Sequence, residues 1–237
     1  MTPHVETVGI TKDYDSLRAL DRVSIAAHLG QVTTIVGVNG SGKTTLLKIL
    51  GGLDTPSAGR VLIEGHEPIP AQLRTHCTMV FQRSVMLRSS VHNNVAYGLK
   101  INGIPSQEIS SRVKSALALV NLDGFEKRHA RQLSSGEQQR VAMARALALE
   151  REVLLVDEPT ANLDPANAMI IEQAIKDSAR SRAVLVSTHN LPQARRLSQR
   201  VIHLYKGRVV EEGEASRFFT NPSDERTKLF IDGELQF

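Results

Sequence analysis

Short hydrophobic runs rich in Val, Ile and Thr alternate with longer helical stretches along this chain. Runs of this composition predict buried strands, and their alternation with helices predicts an α/β fold with a largely parallel sheet. The predicted strands are Val32–Val36, Cys77–Phe81, Val153–Val156, Val184–Ser187 and Val201–Tyr205. Because Lys206 and Gly207 interrupt the last apolar run, we expect Val201–Val210 to form a hairpin.

The character of the chain changes near residue 82 and again near residue 150. Up to residue 82, strand patterns and turn signals dominate. From about Ser90 to Leu149 the pattern is helical, most clearly in Ser110–Val120 and Val141–Leu149. We therefore predict a mixed α/β core with a helical insertion, within one domain over residues 1–237.

Composition is that of a globular protein: 41% of the 237 residues are hydrophobic and 23% are charged. The single cysteine, Cys77, cannot form an internal disulfide, so we expect a reducing compartment. The N-terminus lacks the basic head and apolar core of a signal peptide, and no apolar run approaches the ~20 residues that span a bilayer. Any membrane role is expected to come through a partner.

The charge pattern gives little sign of nucleic-acid binding. The net charge is +4, from 29 Lys and Arg against 25 Asp and Glu, and acids interleave with the basic residues. The densest basic group, Arg195, Arg196 and Arg200, is typical of a solvated helix face. Nucleic acid is therefore not an expected partner.

A phosphate-binding pattern follows the first predicted parallel strand. The pattern G-x-x-x-x-G-K-[ST] is satisfied by Gly37, Val38, Asn39, Gly40, Ser41, Gly42, Lys43 and Thr44. A predicted helix begins at Thr44, so the loop lies at a helix N-terminus, where anions are favoured. Lys43 is suited to the β- and γ-phosphates of a nucleotide and Thr44 to Mg²⁺. The alternative, a purely structural glycine-rich turn, does not explain the flanking strand and helix.

Two carboxylates follow the strand Val153–Val156. Asp157 and Glu158 precede Pro159, and an acid at the C-terminal end of a parallel strand projects into the crevice where ligands bind. Asp157 is suited to hold Mg²⁺ through water, and Glu158 to orient or deprotonate an attacking water. A solvated turn is the alternative interpretation of two such acids.

The segment Leu133–Arg140 identifies a family. Ser134 and Glu137 form a capping-box pattern that would start any helix. The whole string, LSSGEQQR, closely resembles the LSGGQQQR signature of ATP-binding-cassette ATPases. It departs from that signature at Ser135 and Glu137, and a serine at 135 would be strained if the backbone there required positive φ.

Further motifs match the same family in its order along essentially the whole chain. Gln82 resembles the Q-loop glutamine, Ala161–Asp164 the D-loop, His189 the switch histidine, and Tyr14 the aromatic residue that stacks on adenine. An ordinary strand terminator at Gln82 and a plain turn aromatic at Tyr14 are the alternatives.

The resemblance implies roles for individual residues. It assigns catalytic roles to Lys43, Glu158 and His189, and Mg²⁺ contacts to Thr44, Gln82 and Asp157. It assigns nucleotide contacts to a larger set: Tyr14, Gly37, Val38, Asn39, Gly40, Ser41, Gly42, Lys43, Thr44, Thr45, Gln82, Ser134, Ser135, Gly136 and Asp164.

The resemblance also implies an architecture and an activity. The architecture is a P-loop core with an antiparallel β subdomain over residues 1–82 and 151–237, and a helical subdomain over 83–150. The activity is MgATP hydrolysis by a homodimer that encloses two ATP molecules. Such a subunit docks on integral-membrane permease subunits at the cytoplasmic face and serves an extracytoplasmic substrate-binding protein indirectly.

The transported substrate is a narrower expectation. The segments Gln82–Leu87, Ser187–Ala194 and Phe230–Leu235 look most like those of tungstate-importer ATPases, with phosphate and polar amino-acid importers as alternatives. Other candidate classes are a standalone ATPase acting on nucleic acid and a P-loop kinase, although kinases lack the signature segment. Val85, Met86 and Leu87 are expected either to contact a permease or to belong to the helical core.

Overall fold

A computed structural model describes residues 2–161 and 163–234; Asn162 and Leu235 lie outside the described residues. The strands are β1 (Val5–Tyr14), β2 (Leu17–Ala27), β3 (Gln31–Val36), β4 (Ala58–Ile63), β5 (Cys77–Val80), β6 (Val153–Asp157), β7 (Ala183–Thr188), β8 (Arg200–Tyr205) and β9 (Arg208–Glu214). The helices are α1 (Lys43–Leu50), α2 (Pro70–His76), α3 (Val91–Ile101), α4 (Ser106–Ala118), α5 (Ser135–Leu147), α6 (Pro165–Ala179), α7 (Leu191–Leu197), α8 (Ala215–Thr220) and α9 (Glu225–Ile231).

The strands form two sheets. The smaller is antiparallel, in the order β2-β1-β4, and the larger has the order β5-β6-β7-β3-β8-β9. The first five strands of the larger sheet are parallel and β9 pairs antiparallel with β8. The carboxyl ends of the parallel strands therefore meet at one edge of the sheet, where the predicted site residues follow β3, β6 and β7.

Burial of both faces explains why the central strands are continuously apolar. Along β6, Leu154 and Val156 join one hydrophobic cluster, while Val153 and Leu155 join a second cluster. Since successive side chains of a strand point to opposite faces, both faces of the sheet are covered. Every residue of β6 and β7 is buried.

The predicted α/β class and all five predicted strands are confirmed. The prediction of β5 was one residue too long, because the strand ends at Val80 rather than at Phe81. The hairpin of β8 and β9 is also present, and its turn residues Lys206 and Gly207 both have positive φ.

Helices α3, α4 and α5 occupy the stretch between the neighbouring strands β5 and β6. The capping box at Ser134 and Glu137 is confirmed as the start of α5, whereas the apolar pattern alone becomes clear only at Val141, after the polar first turn. Ser134 caps this helix: its Oγ accepts from the Glu137 N–H at 3.2 Å, and Glu137 Oε2 accepts from the Ser134 N–H at 2.8 Å. No helix within residues 2–161 and 163–234 is both long enough and apolar enough to cross a bilayer.

Candidate functional site

The loop between β3 and α1 requires glycine at two places for steric reasons. Gly37 has φ +154°, and a Cβ there would lie 2.1 Å from the carbonyl oxygen of Leu204. Gly42 has φ +105°, and a Cβ there would lie 2.7 Å from the carbonyl oxygen of Ala19. These close approaches let the backbone curl tightly around the start of α1.

The start of α1 is suited to an anion. Its N-cap residue is Gly42, which provides no side-chain cap for the amides of the first turn. The Lys43 ammonium lies inside the loop and donates to the carbonyls of Gly37 at 2.7 Å and Val38 at 3.0 Å. Burial lowers the pKa of Lys43, and the neighbouring carboxylates of Glu158 and Asp157 oppose that shift. The Lys43 ammonium is thus held beside amide donors that no side chain caps.

The acid pair at the end of β6 is held from two sides. Asp157 accepts hydrogen bonds from Thr44 Oγ1 at 2.8 Å and from the hydroxyl of Ser187 in β7. The Glu158 N–H donates to the carbonyl and to the hydroxyl oxygen of Ser187, at 3.1 and 3.2 Å. Glu158 has φ +45°, a strained conformation for a residue with a side chain. Strand β7 therefore sets the direction of both acids.

The Glu158 carboxylate lies between two groups that bear or accept protons. Its Oε1 is 3.0 Å from His189 Nδ1 and 3.8 Å from Lys43 Nζ. Glu158 is buried, whereas His189 is about half exposed. A neutral imidazole that donates from Nδ1 to this carboxylate keeps Nε2 available as an acceptor.

These groups share a cleft of about 520 Å³. The cleft is lined by Tyr14, Leu17, Arg18, Ala19, Asn39, Gly40, Ser41, Gly42, Lys43, Thr44, Thr45, Gln82, Glu158, His189, Lys206 and Gly207. Gly37, Val38 and Asp157 are not among these lining residues and support the cleft through their bonds to Lys43 and Thr44.

Five residues that line the cleft were not predicted as site residues from the sequence: Leu17, Arg18, Ala19, Lys206 and Gly207. The first three follow Tyr14 into β2, and the last two form the β8–β9 turn. Only that turn had a signal in the sequence, and nothing in it pointed to a ligand.

Among the described residues, the predicted signature residues do not line this cleft. Ser134 and Ser135 are exposed at the start of α5, and Asp164 is exposed at the start of α6. Ser135 is not among the residues with positive φ, so the strain considered for a serine at this position is absent. One chain thus brings the cradle, the acid pair and His189 together, but not the signature.

Gly136 is buried against its own chain. A Cβ at Gly136 would lie 2.6 Å from the side chain of Asn167. Asn167 is held in turn by Asp164, whose carboxylate accepts from both the backbone and the side-chain nitrogen of Asn167. These hydrogen bonds lower the pKa of Asp164. The first turn of α5 therefore packs against the first turn of α6.

Gln82 lines both the cleft and a second groove of about 660 Å³. The second groove also includes the exposed apolar side chains Val85, Tyr97 and Ile101. Met86, by contrast, is only 4% exposed and packs in the helical core. The structure therefore assigns Met86 to the core, whereas its neighbours Val85 and Leu87 are exposed.

Sequence comparison gives the family. Residues 20–161 match the family model described as "ABC transporter". The chain is 38% identical to the phosphate import ATP-binding protein PstB 2 of Natronomonas pharaonis, over 97% of this chain and 86% of that protein. It is 41% identical to the tungstate uptake system ATP-binding protein TupC of Peptoclostridium acidaminophilum, over 89% of this chain and 97% of that protein.

The fold agrees with the sequence comparison. A solved structure of cbiO1 from Clostridium perfringens, described as part of the ABC transporter complex cbiONQ, superposes with a TM-score of 0.85 at 27% identity. The match covers 97% of this chain and 95% of that one. Since the family model alone matches more than half of the chain, we conclude that the protein is an ATPase of the ABC transporter family.

Proposed function

We propose that this chain is the ATP-hydrolysing subunit of an importer, in which hydrolysis of MgATP drives uptake through separate permease subunits. The observation that carries this proposal is the position of the Glu158 carboxylate, which lies between His189 and Lys43 at the end of a buried strand. A carboxylate beside a phosphate-binding loop is placed to act on water rather than on a carbon substrate.

The proposed chemistry follows from these positions. Glu158 orients the attacking water and accepts its proton, and His189 holds the carboxylate through Nδ1 while Nε2 is available to accept a hydrogen bond from that water. Lys43 places its ammonium beside the β- and γ-phosphate oxygens, whose charge it stabilises. The cleft residue Tyr14 is expected to stack on the adenine base.

The residues at the acid pair fit Mg²⁺. Thr44 and Gln82 line the cleft, and Thr44 Oγ1 lies 2.8 Å from the Asp157 carboxylate, so a hydroxyl, an amide and a carboxylate oxygen are available. Mg²⁺ keeps several waters and binds through one or two carboxylates and substrate phosphates, which suits this sparse set. When bound, the ion neutralises negative charge on the β- and γ-phosphates.

Glu158→Gln tests the catalytic proposal. The amide keeps the shape of the side chain but cannot accept a proton, so hydrolysis should slow by roughly 10²–10⁴-fold while MgATP still binds. Steady-state phosphate release and calorimetric titration with MgATP measure the two effects. Glu67→Gln, an exposed loop substitution away from the cleft, is the matched control. A wild-type rate in Glu158→Gln would exclude the general-base role.

The position of the signature supports a homodimer. Because the described signature residues of one chain do not line its cleft, we propose that a second copy supplies Ser134, Ser135, Gly136 and Asp164 across the interface. Two ATP molecules would then lie between two chains.

A mixing experiment tests this composite site. Ser135→Asp places a negative charge at the exposed N-terminus of α5, which favours the helix itself but repels a phosphate presented by the partner. Each of Lys43→Ala and Ser135→Asp should be inactive alone, and a mixture should partly recover hydrolysis because one site per heterodimer is intact. Ser135→Asn is the uncharged control. If Ser135→Asp alone hydrolyses ATP at the wild-type rate, the composite site is wrong.

The groove beside Gln82 supports a permease partner. Its exposed apolar residues Val85, Tyr97 and Ile101 suit a short helix from a cytoplasmic loop of the permease. Since Gln82 borders both the groove and the nucleotide cleft, it is placed to relay the state of one to the other. The chain would then lie at the cytoplasmic face of the membrane, and an extracytoplasmic binding protein would deliver the substrate.

For the substrate we propose tungstate or a related oxyanion. The proposal is supported by the segments Gln82–Leu87, Ser187–Ala194 and Phe230–Leu235 and by the 41% identity to a tungstate-uptake relative. Phosphate is the alternative substrate, because the chain is 38% identical to a phosphate-import relative. Deletion of the gene should lower accumulation of tungstate but not of phosphate. Unchanged tungstate accumulation would exclude this substrate.

A further inference from the structure

The Tyr14 ring is anchored by a residue far away in the chain. Tyr14 ends β1, lines the nucleotide cleft and is 42% exposed. Its hydroxyl donates to Asp54, which lies in the loop between α1 and β4. This bond raises the pKa of Tyr14, so the hydroxyl stays protonated and remains a donor. The aromatic side chain is therefore tied at its tip as well as at its backbone.

Lys12 completes the anchor. Its ammonium lies 2.6 Å from Asp54 Oδ1 and 2.8 Å from the carbonyl oxygen of Thr55, and the side chain is only 12% exposed. The same ammonium lies over the Tyr14 ring, 4.8 Å from its centroid. Lys12 therefore covers one face of the ring, and a base that stacks on the ring must use the opposite face.

We propose that Lys12 and Asp54 are positioning residues that hold the Tyr14 ring in place, with its uncovered face set to receive the adenine base. The inference rests on the proposed function, since it requires ATP in this cleft. A side chain that is already ordered loses less conformational freedom when a base stacks on it, and so binds the base more tightly. The cradle, which binds phosphates, is not affected by this anchor.

A purely structural role for Asp54 is the alternative. Asp54 Oδ1 also accepts from the Thr55 N–H at 2.8 Å and so stabilises its own loop. The two roles differ in what they recognise. An anchor of the ring affects ligands with a base, whereas a damaged loop next to α1 would affect the phosphate cradle as well.

Calorimetric titration with two probes separates these roles. MgATP uses both the cradle and the ring, whereas magnesium tripolyphosphate uses only the cradle. Asp54→Ala should raise the Kd for MgATP roughly threefold to tenfold, the range expected for one lost hydrogen bond, and leave the Kd for tripolyphosphate unchanged. Glu67→Ala, which removes an exposed carboxylate away from the cleft, is the control.

Tyr14→Phe gives an independent measurement without disturbing the loop. It keeps the ring but removes the hydroxyl, so it should weaken MgATP by a similar factor. The double variant should bind MgATP no more weakly than Asp54→Ala alone, because Tyr14→Phe removes only a bond that Asp54→Ala has already removed. In steady-state hydrolysis, KM should rise with kcat unchanged, since stacking binds substrate and transition state equally.

Binding of MgATP to the wild-type chain distinguishes failure of the proposed function from failure of the inference about Lys12 and Asp54. If the wild-type chain does not bind MgATP, the proposed function fails and the inference falls with it. If the wild-type chain binds MgATP but Asp54→Ala and Tyr14→Phe bind it equally well, only the inference is overturned. Equal losses of MgATP and tripolyphosphate affinity in Asp54→Ala would also overturn it.

Discussion

The close approach of Gly136 to Asn167 leads to a prediction about Gly136→Ala. This substitution should lower the free energy of unfolding when Asn167 is present and raise it when Asn167 is replaced by alanine. Gly136 lies in the first turn of α5, where alanine would gain up to about 1 kcal/mol of helix propensity over glycine. A Cβ at this position would, however, lie 2.6 Å from the Asn167 side chain. Overpacking of this kind costs about 1–3 kcal/mol, so Gly136→Ala should lower the free energy of unfolding by about 0–2 kcal/mol.

Asn167 cannot relieve the clash freely. Its side-chain nitrogen donates to the Asp164 carboxylate, and its backbone N–H donates to the same group at 3.0 Å. In an Asn167→Ala background the obstacle is gone, and Gly136→Ala should then raise the free energy of unfolding by up to about 1 kcal/mol. The two effects differ by an interaction free energy of about 1–3 kcal/mol.

Urea unfolding of the wild type, Gly136→Ala, Asn167→Ala and the double variant, followed by far-UV circular dichroism, measures this interaction free energy. Ser135→Ala is the control, because Ser135 is the exposed neighbour of Gly136 and should have the same effect in both backgrounds. If Gly136→Ala changes the free energy of unfolding equally with and without Asn167, the packing argument is refuted. The only remaining reason for a glycine at position 136 would then be its proposed contact with the nucleotide held by the second copy of the chain.

Two further predictions concern the groove and a buried histidine. Val85→Asp places a charge on a side chain that is 74% exposed, so the free energy of unfolding should change by less than about 0.5 kcal/mol while uptake by cells is lost. Met86→Ala removes a buried side chain and should instead lower the free energy of unfolding by about 2–5 kcal/mol, measured by urea unfolding. Val85→Asp with full uptake would remove that residue from the permease contact. Burial lowers the pKa of His203 to about 4, so below its ordinary value near 6.5 the unfolded chain binds a proton that the folded chain does not. Stability is therefore complete at pH 7 and should fall by about 3 kcal/mol as the pH drops from 6.5 to 4, a loss that His203→Gln should not show.

Much of the fold could be predicted because the controlling interactions are local. Strands buried on both faces are runs rich in Val, Ile, Leu and Thr, which is why β3, β6 and β7 were found. The capping box at Ser134 and Glu137 was found because both partners lie within one helical turn. The cradle was found because its glycines and Lys43 have a fixed spacing.

The remaining features depend on contacts between distant parts of the chain. Tyr14 and Asp54 are 40 residues apart, and no periodicity in the sequence relates them. The burial of Met86 was open for the same reason, since it depends on how helices far along the chain pack over the loop after β5. Asn167 has no motif of its own, and its place under Gly136 follows only from the packing of α5 against α6.

The helices between β5 and β6 form a crossover between strands that are already neighbours. Cys77–Val80 and Val153–Val156 pair in register, so residues 81–152 leave the sheet and return to it at adjacent positions. The entropy of closing a loop grows only with the logarithm of its length, and doubling that length costs about 0.6 kcal/mol. The sheet that carries the cradle and the acid pair therefore tolerates large changes in this crossover. A helical segment from another protein of the same fold could be grafted here, which would change the helical surface without changing the ATP-binding sheet.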